Sequence, residues 1–216
     1  MKIICPQLSN FDIGNRDAVR TAFADAPALQ MKQGWRDVPE ERFLPAHVKI
    51  GCRGDSFLVF GELTENLLYT SATEDKQLLC SMGDVFEIFL RDSESVSYVE
   101  FHVAPNGKRL QLLWPDAASI RRVSNKEITL DDLKVQEPIF DFSQWSEGQT
   151  WCICASVPGS VFLPVGTSLD GRTWAASFSR YDYSSAVEPP VLSSTSSHVE
   201  LSFHRQQEWA VVLFAE

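Results

Sequence analysis

The stretch SYVEFHVAPNGKRLQLLW (residues 97–114) decides the fold. Its first seven residues alternate apolar and polar side chains, so an extended strand would have one apolar and one polar face. The two faces carry Val99, Phe101 and Val103 on one side and Tyr98, Glu100 and His102 on the other. Asn106-Gly107 follows, and this dipeptide between such runs is the strongest short hairpin signal. The stretch therefore predicts an antiparallel hairpin with a half-buried face.

Strand signals extend outward from this hairpin over most of the chain, and helix signals are few. Runs rich in β-branched and aromatic residues predict further strands at residues 46–52, 56–63, 85–90, 150–158, 173–182, 199–203 and 209–214. One helix is predicted over residues 17–25, with Asp17 as its cap. Residues 115–145 are expected to form long connections or irregular strands, and residues 193–197 a loop. The pattern predicts an all-β fold, an antiparallel β-sandwich, in a single domain over residues 1–216.

Composition narrows the classes of partner that the chain can have. The 14 Phe, 6 Trp and 4 Tyr favour pleated, half-buried β-structure, which is where aromatic residues are enriched. Twenty-nine acidic against nineteen basic residues give a net charge of −10. Because such a surface repels phosphate, neither nucleic acid nor an anionic membrane is an expected partner. No signal peptide or long apolar span is readable, so a cytoplasmic location is expected.

Cysteines and catalytic motifs indicate little chemistry. The five cysteines are an odd number scattered along the chain, which argues against a disulfide framework. Cys152 and Cys154 share one face of a predicted strand and are interpreted as buried small side chains, and no metal site is predicted. The sequence contains no nucleophile elbow, zinc-protease helix, phosphate-binding loop or dinucleotide fingerprint. No enzymatic activity is therefore expected.

Several motifs occur in the order that is typical of a known family. They lie at residues 83–107 (GDVFEIFL, then YVEFHVAPNG), 151–158 (WCICASVP), 171–180 (GRTWAASFSR) and 202–214 (SFH, then WAVVLF). In content and order they resemble family 9 carbohydrate-binding modules, which belong to the wider DOMON-like group. The resemblance covers about residues 30–216 and implies a stand-alone β-sandwich, in agreement with the strand pattern.

The resemblance also implies a ligand. Family members bind the ends of sugar chains between two tryptophans, whose positions in this chain fall near Ser81 and Ser202. Neither position holds a tryptophan, and the second region offers only Phe203. The expected function is that of a non-catalytic carbohydrate-binding protein with a degenerate aromatic clamp. Relatives carry structural calcium, for which residues 92–94 offer carboxylates and carbonyls, and no other cofactor is expected.

Five side chains on neighbouring predicted strands are candidate ligand contacts: Glu87, Tyr98, His102, Arg180 and Tyr181. Carboxylates and imidazoles hydrogen-bond sugar hydroxyls, and aromatic rings cover the apolar side of a sugar ring. The resemblance implies a sugar contact for Glu87, places His102 where the family usually has arginine, and equates Arg180 with a family arginine. Two alternatives stay open. In the first, the polar face is an ordinary solvent-facing sheet surface. In the second, Arg180 forms a structural ion pair with Asp182 or another acid.

The remaining aromatic candidates are assigned to packing, and two competing functions stay open. Trp35 and Trp174 are interpreted as packing residues. His204 either faces a ligand or caps the last strand, and the cap is the preferred interpretation. The main competing function is a stand-alone interaction or scaffold domain that kept the sandwich and lost sugar binding. An enzyme that acts on sugars is the third hypothesis, and it requires two carboxylates about 5–9 Å apart on either side of a substrate. The sequence does not indicate an oligomeric state.

Overall fold

Two packed β-sheets form the body of the protein in the computed structural model, which describes residues 1–183 and 188–215. The described strands are β1 (Lys2–Cys5), β2 (Ala28–Gln30), β3 (Ala46–Arg53), β4 (Ser56–Thr64), β5 (Val85–Asp92), β6 (Tyr98–Val103), β7 (Arg109–Trp114), β8 (Asp141–Glu147), β9 (Thr150–Pro158), β10 (Thr173–Asp182), β11 (Val191–Ser194) and β12 (Ala210–Phe214). Sheet A has the order β1-β12-β10-β5-β6-β7, and β11 pairs with the end of β10. Sheet B has the order β2-β3-β4-β9-β8. All pairs are antiparallel except β1 with β12, so the predicted all-β sandwich is confirmed.

The apolar faces of the two sheets meet in one shared core. Val99, Phe101 and Val103 of β6 are buried in it, as their alternation predicts. Phe57 of sheet B packs edge-on against Trp174 of sheet A, with ring centroids 5.8 Å apart. Trp174 is completely buried, which confirms its interpretation as a packing residue. The hydrophobic alternation of the strands therefore positions the sheets, because each sheet can bury its apolar face only against the other.

The opposite face of sheet A is also buried, although an antiparallel sheet usually exposes this side to water. A second apolar cluster covers it, built from the short helix α2 (Ser119–Ser124), a 3₁₀ turn at Asp131–Leu133 and the segment before β12. Phe203 and Trp209 of that segment pack on Phe89 of β5, with ring centroids 6.5 and 5.7 Å away. The polar face of the hairpin is therefore an enclosed layer, and the alternative of a solvent-facing surface is wrong.

Helix α1 (Arg16–Ala22) covers the outer face of sheet B. Phe23, which follows the helix, packs on Phe60 of β4. Cys152 and Cys154 lie in the same cluster and are buried, which confirms their interpretation as small core side chains. Within the described residues, no helix has the length and apolar character needed to cross a membrane.

Several sequence-based boundaries are corrected by the structure. The predicted helix ends at Ala22, and the side chain of Asn15, rather than Asp17, caps it by accepting a hydrogen bond from the Ala18 amide. Residues 199–203 form no strand, whereas residues 193–194 belong to β11 and residues 141–147 form the regular strand β8. Short or polar strands such as these form because a neighbouring strand supplies their hydrogen bonds, and their own composition does not reveal that neighbour.

Candidate functional site

A pocket opens on the covered face of sheet A, where the second apolar cluster leaves a gap. Its volume is about 350 Å³. Carboxylates of Glu87 and Glu100, on β5 and β6, line it together with aromatic side chains that include Trp114 and Phe203. Leu78 and Leu201, which are about half exposed, stand at its edge. The pocket thus combines polar acceptors, aromatic rings and an aliphatic mouth.

A buried cluster of two acids and one histidine is centred on His102, directly behind the pocket. Glu87 and His102 are paired across β5 and β6, and His102 Nε2 lies 3.2 Å from Glu87 Oε1. The same nitrogen donates a hydrogen bond of 2.6 Å to Glu100 Oε1, two residues earlier on the same face of β6. Three titratable side chains that are almost fully buried therefore share one donor nitrogen.

Burial and mutual charge shift the pKa values of this cluster in different directions. Burial raises the pKa of Glu87 to about 8, and His102 only partly opposes this effect. Burial also opposes ionisation of Glu100, but His204, His102 and the Trp114 indole together hold its pKa below the ordinary value. Burial lowers the pKa of His102, and the two neighbouring carboxylates outweigh it, so the pKa is raised. The arrangement favours a protonated Glu87 beside an imidazolium and an ionised Glu100.

An aromatic wall adjoins the acids. Trp114 Nε1 donates a hydrogen bond of 2.7 Å to Glu100 Oε2. The Trp114 indole stacks on Tyr98, with ring centroids 5.7 Å apart and planes only 4° from parallel. His204 closes the wall, since its Nδ1 and the Tyr98 hydroxyl form a hydrogen bond of 2.9 Å and its ring meets Trp114 edge-on. The wall therefore has little freedom to move, because each ring is held by a hydrogen bond or a stacking contact.

The segment before β5 forms another side of the pocket. Cys80 lies in a 3₁₀ turn (Leu79–Ser81) and is half-buried, and the Tyr183 hydroxyl donates a hydrogen bond to its carbonyl. Asp84 holds the base of the turn, where its carboxylate accepts hydrogen bonds from the amides of Tyr69 and Tyr183. Burial raises the pKa of Asp84 to about 7, although these two amides act in the opposite direction. The position of Cys80 is thus fixed by contacts to distant parts of the chain.

The structure brings together four of the five predicted site residues and separates the fifth. Glu87 and Tyr181 line the pocket, and His102 and Tyr98 lie directly behind it. Arg180 points to the other face of sheet A, since it alternates with Tyr181 along β10 and shares the side of the core residue Phe178. It does not line the pocket.

Arg180 is instead buried in a structural ion-pair network. Its Nη2 lies 2.9 Å from Glu65 Oε1 and 2.7 Å from Asp182 Oδ2. The guanidinium also donates hydrogen bonds to the carbonyls of Leu44 and Thr64. This geometry is the ion pair with Asp182 that the sequence left open, and its carbonyl contacts join sheet A to the end of β4 and to the segment before β3 of sheet B.

Sequence reasoning missed several pocket residues. The strand alternation places Glu100 on the same polar face as Glu87 and His102, but it is not among the five candidate ligand contacts. Trp114 ends the returning strand of the same hairpin, opposite Tyr98. Cys80 and His204 carry no local signal because loops from distant parts of the chain bring them to the pocket. The structure favours the ligand-facing alternative for His204 over the preferred strand cap, since His204 lines the pocket and contacts Tyr98.

Comparison with known proteins identifies solved structures that share this architecture. No protein-family model matches the sequence, and no curated protein matches it. A solved structure from Bacteroides uniformis ATCC 8492, provisionally described as a carbohydrate-binding protein, matches with a TM-score of 0.75 and 15% identity over 99% of this chain and 98% of that one. A family 9 carbohydrate-binding module from Caldicellulosiruptor kristjanssonii in complex with cellotriose matches with a TM-score of 0.66 and 12% identity, over 100% and 94% of the two chains. A structure of a module from the same organism with glucose matches with a TM-score of 0.67 and 11% identity, over 99% and 95%.

The chain has the fold of family 9 carbohydrate-binding modules. The fold that the sequence motifs implied is therefore confirmed. Within this family 9 fold, both places where the resemblance puts a clamp tryptophan fall at the pocket, which is lined by Cys80, next to Ser81, and by Ser202 itself. Near these two positions the lining of the pocket includes Leu78, Leu201 and Phe203.

Proposed function

We propose that the protein binds a carbohydrate, without catalysis, in the pocket on sheet A. The proposal rests on one observation: carboxylate acceptors and aromatic rings line a single cavity in a protein that has the fold of carbohydrate-binding modules. Solved structures with this fold are described in complex with cellotriose and with glucose. These likenesses support a sugar as the class of ligand.

The chemistry of the pocket suits a sugar. Sugar hydroxyls donate hydrogen bonds in the plane of the ring. Glu87 Oε2 has no hydrogen-bond partner in the protein and can accept such a bond. The apolar C–H faces of a sugar ring pack on aromatic side chains, which the walls supply through Trp114 and Phe203. The volume of about 350 Å³ lies at the lower end of the ~300–1,000 Å³ typical of small-molecule pockets. A mono- or disaccharide fits this size better than a long chain.

The two acids are arranged for binding rather than for hydrolysis. Glycoside hydrolysis places two carboxylates on opposite sides of the bond that is cleaved. Glu87 and Glu100 instead project from neighbouring strands of one sheet face and contact the same nitrogen of His102. Both therefore lie on one side of any ligand in the pocket, which favours a binding role.

Titration calorimetry with glucose, cellobiose and a panel of acidic and amino sugars at millimolar concentration tests the proposal. We expect binding of at least one sugar, a large loss of affinity in Glu87→Gln and Phe203→Ala, and no change in Glu62→Gln. Glu62 is a matched control because it is an acid on sheet B, paired with His47 and far from the pocket. If the wild type binds no sugar of the panel, or if Glu62→Gln is as defective as Glu87→Gln, the proposal fails.

A second candidate function is an interaction domain, and the aliphatic mouth of the pocket favours it. Leu78 and Leu201 are 40% and 54% exposed, and exposed apolar side chains grouped at one place mark interaction surfaces. An interaction domain predicts a stable complex or oligomer that depends on these leucines. Light scattering of the wild type and of the double variant Leu78→Ser/Leu201→Ser separates the two functions. If the wild type and the variant are both monomers of the same mass, self-association through this surface is excluded.

A further inference from the structure

The pocket also contains a group of donor atoms whose spacing is that of a metal site. Among the described residues, Cys80, Glu87 and His102 each offer one ligand atom, and the three atoms lie within 4.8 Å of one another. In a tetrahedral zinc site, with bonds of about 2.0–2.3 Å, neighbouring donors are about 3.5 Å apart. The three donors must therefore approach one another by at most about 1.3 Å to reach that spacing.

Two buried atoms of this group have no partner in the protein. Glu87 Oε2 and His102 Nδ1 accept or donate no hydrogen bond, although Glu87 is 2% and His102 0% exposed. Buried polar atoms are almost always satisfied, since leaving one unpaired costs folding free energy. Unpaired polar atoms on two adjacent buried side chains therefore indicate a group that the protein does not itself supply.

The surroundings of His102 fit a ligand histidine. Glu100 accepts a hydrogen bond from His102 Nε2 at 2.6 Å, and Glu100 is itself held by the Trp114 indole at 2.7 Å. Histidines that bind metals typically donate their other ring N–H to a carboxylate, which fixes the ring and raises its basicity. With the ion on His102 Nδ1, the ring nitrogen that has no partner in the protein, Glu100 is a positioning residue of this type.

We propose that Cys80, Glu87 and His102 bind one divalent transition-metal ion of the zinc type, with a fourth coordination position open to the pocket. Thiolate and imidazole donors select zinc and its neighbours, whereas calcium and magnesium prefer sets made of oxygen alone. Cys80 and Glu87 line the cavity, so the open side of the ion faces the pocket. Three protein ligands with one open position is an arrangement that zinc adopts in proteins.

A second cluster of three acidic side chains is a less suitable metal site, because it already contains a cation. Glu65, Asp84 and Asp182 also bring three oxygen donors within 4.8 Å of one another. The guanidinium of Arg180 lies 2.9 Å from Glu65 and 2.7 Å from Asp182 and already supplies a cation there. The Cys80 group has no arginine or lysine contact in the described structure, and its half-buried thiol gives an ion a route of entry from the pocket.

Cobalt(II) and zinc(II) titrations of the chelator-treated protein, with no sugar present, test this inference. We expect one ion per chain by calorimetry, and a near-ultraviolet sulfur-to-cobalt charge-transfer band with cobalt(II). Zinc(II) should displace the cobalt and slow alkylation of Cys80, the one cysteine of the five that is not fully buried. Absence of stoichiometric binding, or binding without the sulfur band, overturns the inference.

Variants assign the ligands. Cys80→Ala is expected to abolish the sulfur band, Glu87→Gln to weaken binding but keep the band, and Glu100→Gln to weaken affinity by roughly 10–100-fold as an outer carboxylate. Cys154→Ala, a buried cysteine on sheet B, is the control and should bind as the wild type does. Loss of the band in Cys154→Ala, or its retention in Cys80→Ala, contradicts the assignment. Because no sugar is present, failure here leaves carbohydrate binding standing, and failure of the sugar titrations leaves the metal site standing.

Discussion

Glu87 and His102 face each other across β5 and β6, with His102 Nε2 3.2 Å from Glu87 Oε1 in a layer that excludes water. The pairing follows from strand register, but its chemistry follows from the apolar cover over sheet A. Burial raises the pKa of Glu87 to about 8, so that this acid keeps a proton near neutral pH. The pocket therefore offers a ligand a carboxyl group that both donates and accepts hydrogen bonds.

The stability of the protein should fall with pH because of Glu87. Below pH 4.5 the folded and unfolded states both hold the proton; between 4.5 and about 8 the unfolded state loses it first, so rising pH favours unfolding. We expect this acid to contribute a loss of up to about 1.4 kcal/mol per pH unit in that window. Urea denaturation at a series of pH values should show a steeper decline for the wild type than for Glu87→Gln. Glu62→Gln, altered at a partly exposed acid, should keep the wild-type slope, and equal slopes for all three proteins would count against the buried, protonated Glu87.

Arg180 should contribute to stability without contributing to ligand binding. Arg180→Met leaves Glu65 and Asp182 buried without their cation, and such a change costs about 3–5 kcal/mol in the free energy of unfolding. Adding Glu65→Gln to Arg180→Met should restore part of the loss, because one uncompensated acid is removed. Denaturant melts of the two single variants and the double variant measure this coupling. Sugar affinity of folded Arg180→Met should equal that of the wild type, and a selective loss of affinity would instead give Arg180 a role at the pocket.

Gly83 should be irreplaceable in the turn that carries Cys80. Its φ is +150°, and a Cβ at this position would come within 2.3 Å of the Tyr69 carbonyl oxygen. We expect Gly83→Ala to cost more than about 3 kcal/mol and to displace the Cys80 turn, because the obstacle is backbone. Gly148→Ala is the matched control, since Gly148 also has a positive φ, +57°, but nothing lies within 4 Å of the added carbon. Its expected cost is about 1–2 kcal/mol, and thermal melts that rank the two variants equally would refute the steric argument.

The Trp114 indole should stabilise the charge on Glu100. Trp114→Phe removes the donor that lies 2.7 Å from Glu100 Oε2, and a lost hydrogen bond to a charged group costs about 1.5–3 kcal/mol. Trp145→Phe is the control because Trp145 is equally buried but its Nε1 has no hydrogen-bond partner. Chemical denaturation should therefore show a clearly larger loss for Trp114→Phe. Equal losses in the two variants would mean that ring volume, and not the hydrogen bond to Glu100, is what matters.

The orientation of Arg180 shows how much of the side-chain arrangement the strand alternation alone predicts. Even numbers of residues separate Trp174, Phe178 and Arg180 along one strand, so their side chains share a face. The core assignment of Trp174 therefore already implied that Arg180 points inward. The same rule placed Glu87 beside His102 once β5 and β6 were neighbours. For these residues the sequence contained the answer, because side-chain direction in a strand has a period of two.

The local sequence determined the two sheets, the hairpin of β6 and β7 and the polar face that bears Glu87, Tyr98 and His102, since alternation and turn chemistry act over a few residues. Only the tertiary structure decided that this face is enclosed. The cover comes from α2, from Asp131–Leu133 and from the segment around Phe203, which lie far along the chain and whose own patterns did not indicate that they pack on this face. That cover excludes water, and the loss of solvation is what raises the pKa of Glu87, leaves His102 Nδ1 unpaired and turns a polar sheet face into a pocket.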